Sequence, residues 1–500
     1  MNLRLKNYFM VFPKNWLGLI FLLLFMGIIN VMRTPRDNDV KLKRTALEWS
    51  LAALTATLIL WGAFDSEGQF QTINQTEWIV SPTLNFQWGP IFLAVDGISL
   101  FFLILTALLI PICILISWNS IKYLLKEFLL CLLFLEVLLM GVFSALDLLL
   151  FYILFEGILI PMFLLIGIWG SREEKVRASY YFFFYTFIGS VFMLLGIFQL
   201  YSCTGTTDYQ TLLNIKLPTS TQKWIFAGFF LSLAVKIPQI PFHIWLPQAH
   251  VEAPVSGSVI LAGILLKLGG YGFLRFSWPI LPAASEYFAP LIITLSIIAI
   301  IYGSLTTCRQ VDFKRLIAYS SVAHMGLVTL GLFTHTIEGL VAAVFMMLAH
   351  GLVSSALFIA VTYLYERHHT RLIKYYRGVT ITMPIFAIIM LVLTLTNMGI
   401  PLSCNFVAEF FSLLAAFEYN LGIGVLAASG MVWSAAYSLY LYNRICFGGA
   451  SNYLLFARDL NRREVLAISP LIILILFLGI LPSIIIDPIK NAIIFNPGGA

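Results

Sequence analysis

Apolar runs of about twenty residues recur along the whole of this chain, and they restrict the possible folds more than any other feature. A run of that length, wound as a helix, crosses the hydrocarbon core of a bilayer. Inside lipid, a crossing segment must satisfy its backbone hydrogen bonds internally, so a chain of such runs folds as a helical bundle. Composition agrees: 60% of the 500 residues are apolar and 11% are charged, against about 25% charged in soluble domains. The expected fold class is therefore an all-α polytopic membrane protein.

Fourteen runs have the required length: 16–32, 46–63, 91–117, 127–144, 147–169, 178–201, 223–246, 254–277, 286–308, 315–332, 337–364, 381–418, 421–446 and 465–487. The first carries no small-residue cleavage site after it and reads as a span, not a removed signal. Basic residues test the map. Alternate connections hold Arg33 to Arg44, Lys122 and Lys126, Arg172 to Arg177, Arg309 to Arg315, Arg367 to Arg377 and Arg458 to Arg463. Their counterparts on the other side hold only Lys216 and Lys223. Such asymmetry marks the cytosolic or matrix face and places both termini on the opposite side. Arg4, Lys6 and Lys14 are exceptions. Because the basic residues follow topology, the net charge of +6 does not suggest a nucleic-acid partner.

Two runs contain breaks. In SLAVKIPQIPFHIWLP (232–247) an apolar helix reaches Lys236 and then meets Pro238, Pro241 and Pro247. The twelfth run is too long for one straight crossing and contains Gly399-Ile400-Pro401. Five spans separate the breaks, so spans 4–8 and 9–13 read as two five-helix repeats of opposite orientation, a pattern that points to a midplane transport site. The expected organisation is an N-terminal three-helix segment (1–126), a first repeat (127–277) broken near 236–241, a second (286–446) broken near 397–405, and a C-terminal helix and tail (447–500).

Ionisable residues recur inside the runs, each costing about 2.5–3.5 kcal/mol at the bilayer centre. Glu136, Glu156, Lys236, Lys267, His324, His350 and Glu409 lie on different spans in an order that could form a row, with His243 in the first broken region. Glu156 and Lys236 are the natural opposite-charge pair. Burial favours neutral forms and a neighbouring opposite charge favours charged ones, so each group's state depends on its neighbour. Lysine gives up its proton readily when buried, and histidine titrates near neutrality. Ser320 and Ser321 precede His324 by about one turn, and Ser354 follows His350 by one; such polar faces can hold water. The bland readings are that Glu156 and Lys236 only lock two helices, that the histidines are packed and inert, and that His243 satisfies freed backbone groups. Arg275 is expected to snorkel from a span end. Asp96 and Asp147 are expected to cap helix starts. A lysine beside a broken helix stands next to exposed backbone dipoles and water, where its charge is tolerable and adjustable. This suggests a proton or cation path through the bundle.

No Walker loop, nucleophile elbow or HExxH zinc motif occurs. Gly422 to Ala427 loosely fits a dinucleotide pattern but lies in a span with no strand before it. The six cysteines are scattered without a CxxC pair, so neither a metal or iron–sulfur site nor a disulfide framework is expected.

HIWLPQAHVEAPVSGSVILAGILLKLGGYGFLRF (243–276), with AVKIP before it, resembles the subunit 4 family of respiratory complex I, the proton-pumping NADH:ubiquinone oxidoreductase. RQVDFKRLIAYSSVAHM (309–325), HGLVSSALF (350–358) and LDLLLFYILFEGILIPMF (146–163) resemble the same antiporter-like family, over about 90–446 and in wording closest to mitochondrial members. The resemblance implies fourteen helices in two inverted repeats. It implies Glu156 and Lys236 as the coupled pair of one half-channel, Lys267 as the next relay, His324 and His350 as hydrated histidine steps, and Glu409 as the terminal carboxylate. It further implies other membrane-arm subunits as partners, including sibling antiporter-like ones, besides membrane lipid. NADH, FMN, iron–sulfur clusters and ubiquinone would lie elsewhere in that complex, in the mitochondrial inner membrane. Glutamate in the broken twelfth span separates the chain from the subunit 5 family. The sequence departs from the family at Leu402, Cys404 and Asn405 around the second break, and at Gly270, where threonine is usual. The alternatives are a stand-alone cation/proton antiporter and a scaffold subunit.

Overall fold

The computed structural model describes residues 15–67, 70–76, 79–81, 86–88, 91–449, 451 and 458–495. Arg4, Lys6 and Lys14 lie outside them. Among the described residues twelve helices are long and apolar enough to cross a membrane. In chain order, spans 1–6 are Trp16–Arg33, Asp39–Ala63, Gly97–Ile116, Leu125–Ser144, Leu148–Trp169 and Lys175–Thr204. Spans 8–11 are Val255–Ile280, Pro282–Cys308, Phe313–Phe333 and Ile337–His368, and spans 13 and 14 are Leu421–Cys446 and Arg462–Ile480. The two broken spans complete the series. Span 7 consists of Thr219–Lys236 and Trp245–Glu252, and span 12 of Pro384–Asn397 and Cys404–Tyr419. The chain is an all-α polytopic membrane protein.

Two expected boundaries move. Residues Ile91–Val95 form a strand paired with Gln71–Thr76, so span 3 begins at Gly97. Asp96 stops the strand and starts the helix: its carboxylate accepts from the Ser99 amide at 2.9 Å while the Ser99 hydroxyl accepts from the Asp96 amide, a reciprocal cap. At the other end, span 14 stops before Leu481-Pro482, and a second helix, Ser483–Phe495, folds back onto the start of span 3. A methyl group on Gly97 would stand 2.2 Å from the Pro488 carbonyl oxygen.

The breaks lie where proline and glycine forbid a continuous helix. After Lys236 the Val235 carbonyl accepts from the Trp245 indole at 2.9 Å, and the Ala234 carbonyl accepts from the Gln239 amide at 2.9 Å. The Ala234 carbonyl freed by Pro238 is thus satisfied within the protein. The second break turns at Gly399 (φ +75°) and Leu402 (φ +76°), and the Ser403 hydroxyl caps the returning helix.

Spans 8 and 11 are buried along their apolar length and form the centre of the bundle. Span 8 is not a plain α-helix: Leu261–Leu265 and Phe273–Ser277 are π-helical, flanking Lys267. Gly269 and Gly270 let it pass between its neighbours. A methyl group at 269 would stand 2.8 Å from the Leu233 carbonyl oxygen, and one at 270 would stand 2.4 Å from the Met347 sulfur. The threonine usual at 270 would require the Met347 side chain to move aside.

Candidate proton-transfer site

The ionisable residues of spans 8, 10, 11 and 12 converge. Lys267 is fully buried, and its Nζ lies 2.9 Å from His350 Nδ1. It also donates to the Ala262 carbonyl, five residues back in the first π turn. The rings of His350 and His324 are 5.5 Å apart between centroids. His324 Nδ1 lies 3.4 Å from Glu409 Oε1, within ion-pair range but without hydrogen-bond alignment, since neither Glu409 oxygen has a hydrogen-bond partner. Lys267, His350, His324 and Glu409 therefore form a continuous buried row across four helices. All four are at most 3% exposed, which excludes positions facing lipid or bulk solvent for them.

Position within each helix explains the convergence. Gly351 brings span 11 close to span 8, where a methyl group would stand 2.9 Å from the Gly263 carbonyl oxygen. His350, one residue earlier, thereby reaches Lys267. Gly399 does the same at the second break, where a methyl group would stand 2.3 Å from Glu409 Oε2. Ser320 and Ser321 both donate to the Ile317 carbonyl, and Ser354 donates to the His350 carbonyl. Their hydrogens are engaged within their own helices, leaving oxygen lone pairs free to accept.

The first half is arranged differently. Lys236 is buried, has no hydrogen-bond partner, and sits 4.4 Å over the Phe155 ring. Glu156 is half-buried with one unpartnered oxygen. No ion pair within 4.0 Å joins Glu156 to Lys236, and no hydrogen bond joins Lys236 to Lys267. Glu136 is fully buried with both oxygens unpartnered. His243 is buried in the break with Nδ1 unpartnered, edge-on to Tyr302 and Tyr319 at 6.2 and 6.3 Å.

The expectation that Arg275 snorkels is wrong. Arg275 is 2% exposed and pairs with Asp96 at 2.6 Å. The rings of Phe70, Tyr271 and Tyr209 stand 5.3, 5.5 and 5.9 Å from its guanidinium carbon. A guanidinium is accepted in such a place because carboxylate and aromatic faces replace its hydration. Tyr209, in the short helix Tyr209–Leu213 between spans 6 and 7, has its phenol pushed up to about 12, chiefly by burial. Asp147 caps Leu148–Gly157 as expected, accepting from the Leu150 amide at 2.9 Å.

Two connecting-loop cations that reflect topology in the sequence are also structural. Lys314 is buried and donates to the Ala253 carbonyl at 2.7 Å. Arg371 is buried and donates to the Val251 carbonyl and the Ser171 hydroxyl; burial, with Arg172 nearby, lowers its pKa. Together they tie the connections after spans 5, 7, 9 and 11.

His250 escaped the sequence reasoning. It is fully buried, both ring nitrogens lack partners, and its ring stacks on Phe358 at 4.6 Å. The signal was a second histidine seven residues after His243 in the returning half of span 7. Tyr437 and Asn405, both buried with unpartnered side-chain atoms, were also missed, because neither is charged. Among the described residues no group of three or more His, Cys, Asp or Glu could hold a metal ion.

Fold and site define a multi-pass membrane protein with a buried titratable axis. Residues 145–434 match the family described as NADH:quinone oxidoreductase/Mrp antiporter, TM. The chain is 89% identical to NADH-ubiquinone oxidoreductase chain 4 of Metridium senile, over 98% of this chain and all of that one. It is 49% identical to NADH-ubiquinone oxidoreductase chain 4 of Marchantia polymorpha, over 96% and 97% of the two chains. A chain of respiratory complex I from Thermus thermophilus with bound NADH superposes with a TM-score of 0.85 at 28% identity, covering 97% of this chain and all of that one. This chain belongs to the NADH:quinone oxidoreductase/Mrp antiporter family, and within it to the NADH-ubiquinone oxidoreductase chain 4 group.

Proposed function

We propose that this chain is a proton-translocating membrane-arm subunit of NADH:ubiquinone oxidoreductase. The carrying observation is the buried row Lys267–His350–His324–Glu409, in which each group lies beside the next. Glu156 and Lys236 load the row, with Glu136 and His243 beside them; Lys267 receives the proton; His350 and His324 pass it on; Glu409 releases it. Residues 127–277 and 286–446 act as two inverted repeats, each contributing one broken span.

In this reading the redox groups belong to other subunits. NADH oxidation at FMN, electron passage through iron–sulfur clusters and ubiquinone reduction take place on other subunits, and this subunit responds by changing the charge states of its row. Moving one proton against 100 mV costs about 2.3 kcal/mol, and a two-unit change in a lysine's proton affinity supplies about 2.7 kcal/mol. Modest electrostatic switching is therefore of the right size. The subunit sits in the mitochondrial inner membrane beside sibling antiporter-like subunits and lipid, with its basic loops in the matrix and both termini on the intermembrane-space side.

Lys236→Ala and Glu156→Gln variants test the reading. In assembled complex, each is expected to abolish proton translocation through this subunit while electron transfer persists under uncoupling. Wild-type pumping in either assembled variant would refute the assigned path. A preparation lacking flavin and iron–sulfur absorption yet active in cation exchange would favour a stand-alone antiporter instead.

A further inference from the structure

Beyond His324 and Glu409 the axis has further polar neighbours. A cavity of about 10 Å³ lies between spans 9, 10, 12 and 13, walled on its polar side by His324, Glu409, Tyr437, Ser304 and Ser434. That volume has room for about one water. Tyr437 is 1% exposed; its hydroxyl makes no well-aligned hydrogen bond, although the Asn397 and Ser320 side chains interact with it, and both Glu409 oxygens are unpartnered. The walls offer further acceptors. Ser304 donates to the Ile300 carbonyl at 2.6 Å and Ser434 to the Met431 carbonyl at 2.8 Å, so each hydroxyl oxygen keeps lone pairs free. A carboxyl buried without any donor, beside a phenol whose own contacts are poorly aligned, is costly. One water resolves both deficits and makes three hydrogen bonds, the usual number for a buried water.

We propose that a single water occupies this cavity, accepts a hydrogen bond from the Tyr437 hydroxyl and donates to the Glu409 carboxylate, making Tyr437 a positioning residue for the terminal carboxylate. The water's second hydrogen bonds to the Ser304 or Ser434 oxygen. No proton changes hands in this arrangement. Tyr437 polarises the water, and the water favours the ionised form of Glu409 over the protonated one. Tyr437 thereby sets how readily the last group of the row gives up its proton. The inference rests on Glu409 being that last group.

The test uses the assembled complex. In a structure of the unmodified complex that resolves ordered solvent, one water is expected within hydrogen-bond distance of both Tyr437 Oη and a Glu409 carboxyl oxygen. A dry cavity, or direct contact between the two side chains, would overturn the proposal. In Tyr437→Phe the carboxyl holds its proton more tightly, so the pH profile of proton translocation is expected to move about one unit to the alkaline side. A slower rate with an unmoved profile would mean Tyr437 only packs, and the proposal would fail. If Tyr437→Phe does not assemble, the solvent map alone decides. Normal pumping in Glu409→Gln would instead remove the reading of Glu409 on which the inference rests, an outcome separable from the position of the water.

Discussion

The contact between Lys267 and His350 depends on a residue with no side chain, and Gly351→Ala tests that dependence. The added methyl group would stand 2.9 Å from the Gly263 carbonyl oxygen and 2.9 Å from Leu105 Cδ2, where ordinary contact begins at 3.4 Å. Leu105 can rotate, but the carbonyl belongs to the span 8 backbone, so spans 8 and 11 must separate by about half an ångström. Lys267 Nζ and His350 Nδ1, now 2.9 Å apart, would then stand beyond normal hydrogen-bond length. A hydrogen bond to a charged group contributes about 1.5–3 kcal/mol. Its loss from the transfer step slows that step by about ten- to a hundredfold. Overpacking itself costs about 1–3 kcal/mol, tolerable in a bundle this size. The assay compares proton uptake into sealed vesicles with NADH oxidation, before and after uncoupling. Coupled turnover is expected to fall by at least tenfold while uncoupled oxidation and complex content stay near wild type. Wild-type coupled turnover with the complex assembled would refute the reasoning, because it would mean the Lys267–His350 distance does not limit transfer.

Three further outcomes follow from particular contacts. Asp96→Asn leaves the Arg275 guanidinium buried without its 2.6 Å partner and is expected to cost about 3–5 kcal/mol, read as loss of assembled complex on native gels; normal content would show that the aromatic cage suffices. His335, in the connection between spans 10 and 11, accepts from the Trp278 indole at 2.7 Å, and burial holds its pKa below the ordinary 6.5. Its folded form binds fewer protons than its unfolded form. The contact's stabilisation is therefore full above pH 6.5 and is lost as pH falls through the depressed folded value; Trp278 emission, isolated by subtracting a Trp278→Phe variant, should change only in that acid range, and a flat profile would contradict it. His250→Leu fills an apolar stack on Phe358 without restoring titratable nitrogens; if His250 serves the row, coupled turnover drops several-fold with assembly intact, whereas unchanged turnover would assign it to packing.

The legible part of this protein was set by lengths and by where charges are expensive. Fourteen apolar runs, their alternating basic connections and their two breaks follow from the thickness of a bilayer and from the geometry of proline and glycine, which act locally. Lysine, glutamate and histidine inside those runs stood out for the same reason: no lipid-facing site tolerates them. Distance between helices is not a local property. Arg275 near a span end looked like a residue reaching for water, and only the packing of spans 3 and 8 gave it Asp96. Glu156 and Lys236 looked like a contact pair, and only the packing of spans 5 and 7 decided that they lie beyond 4.0 Å of each other. Lys314 and Arg371 counted as loop charges until the folded connections enclosed them.

The amino-acid sequence by itself determined that this chain spans a membrane many times and carries titratable groups through it, because hydrophobic length and ionisable side chains are written residue by residue. The tertiary structure alone decided that Lys267, His350, His324 and Glu409 stand in contact, and that Tyr437 faces the end of their row. Those relations depend on how closely helices approach at Gly351, Gly270 and Gly399, where the absence of a side chain has meaning only once a neighbour is in place.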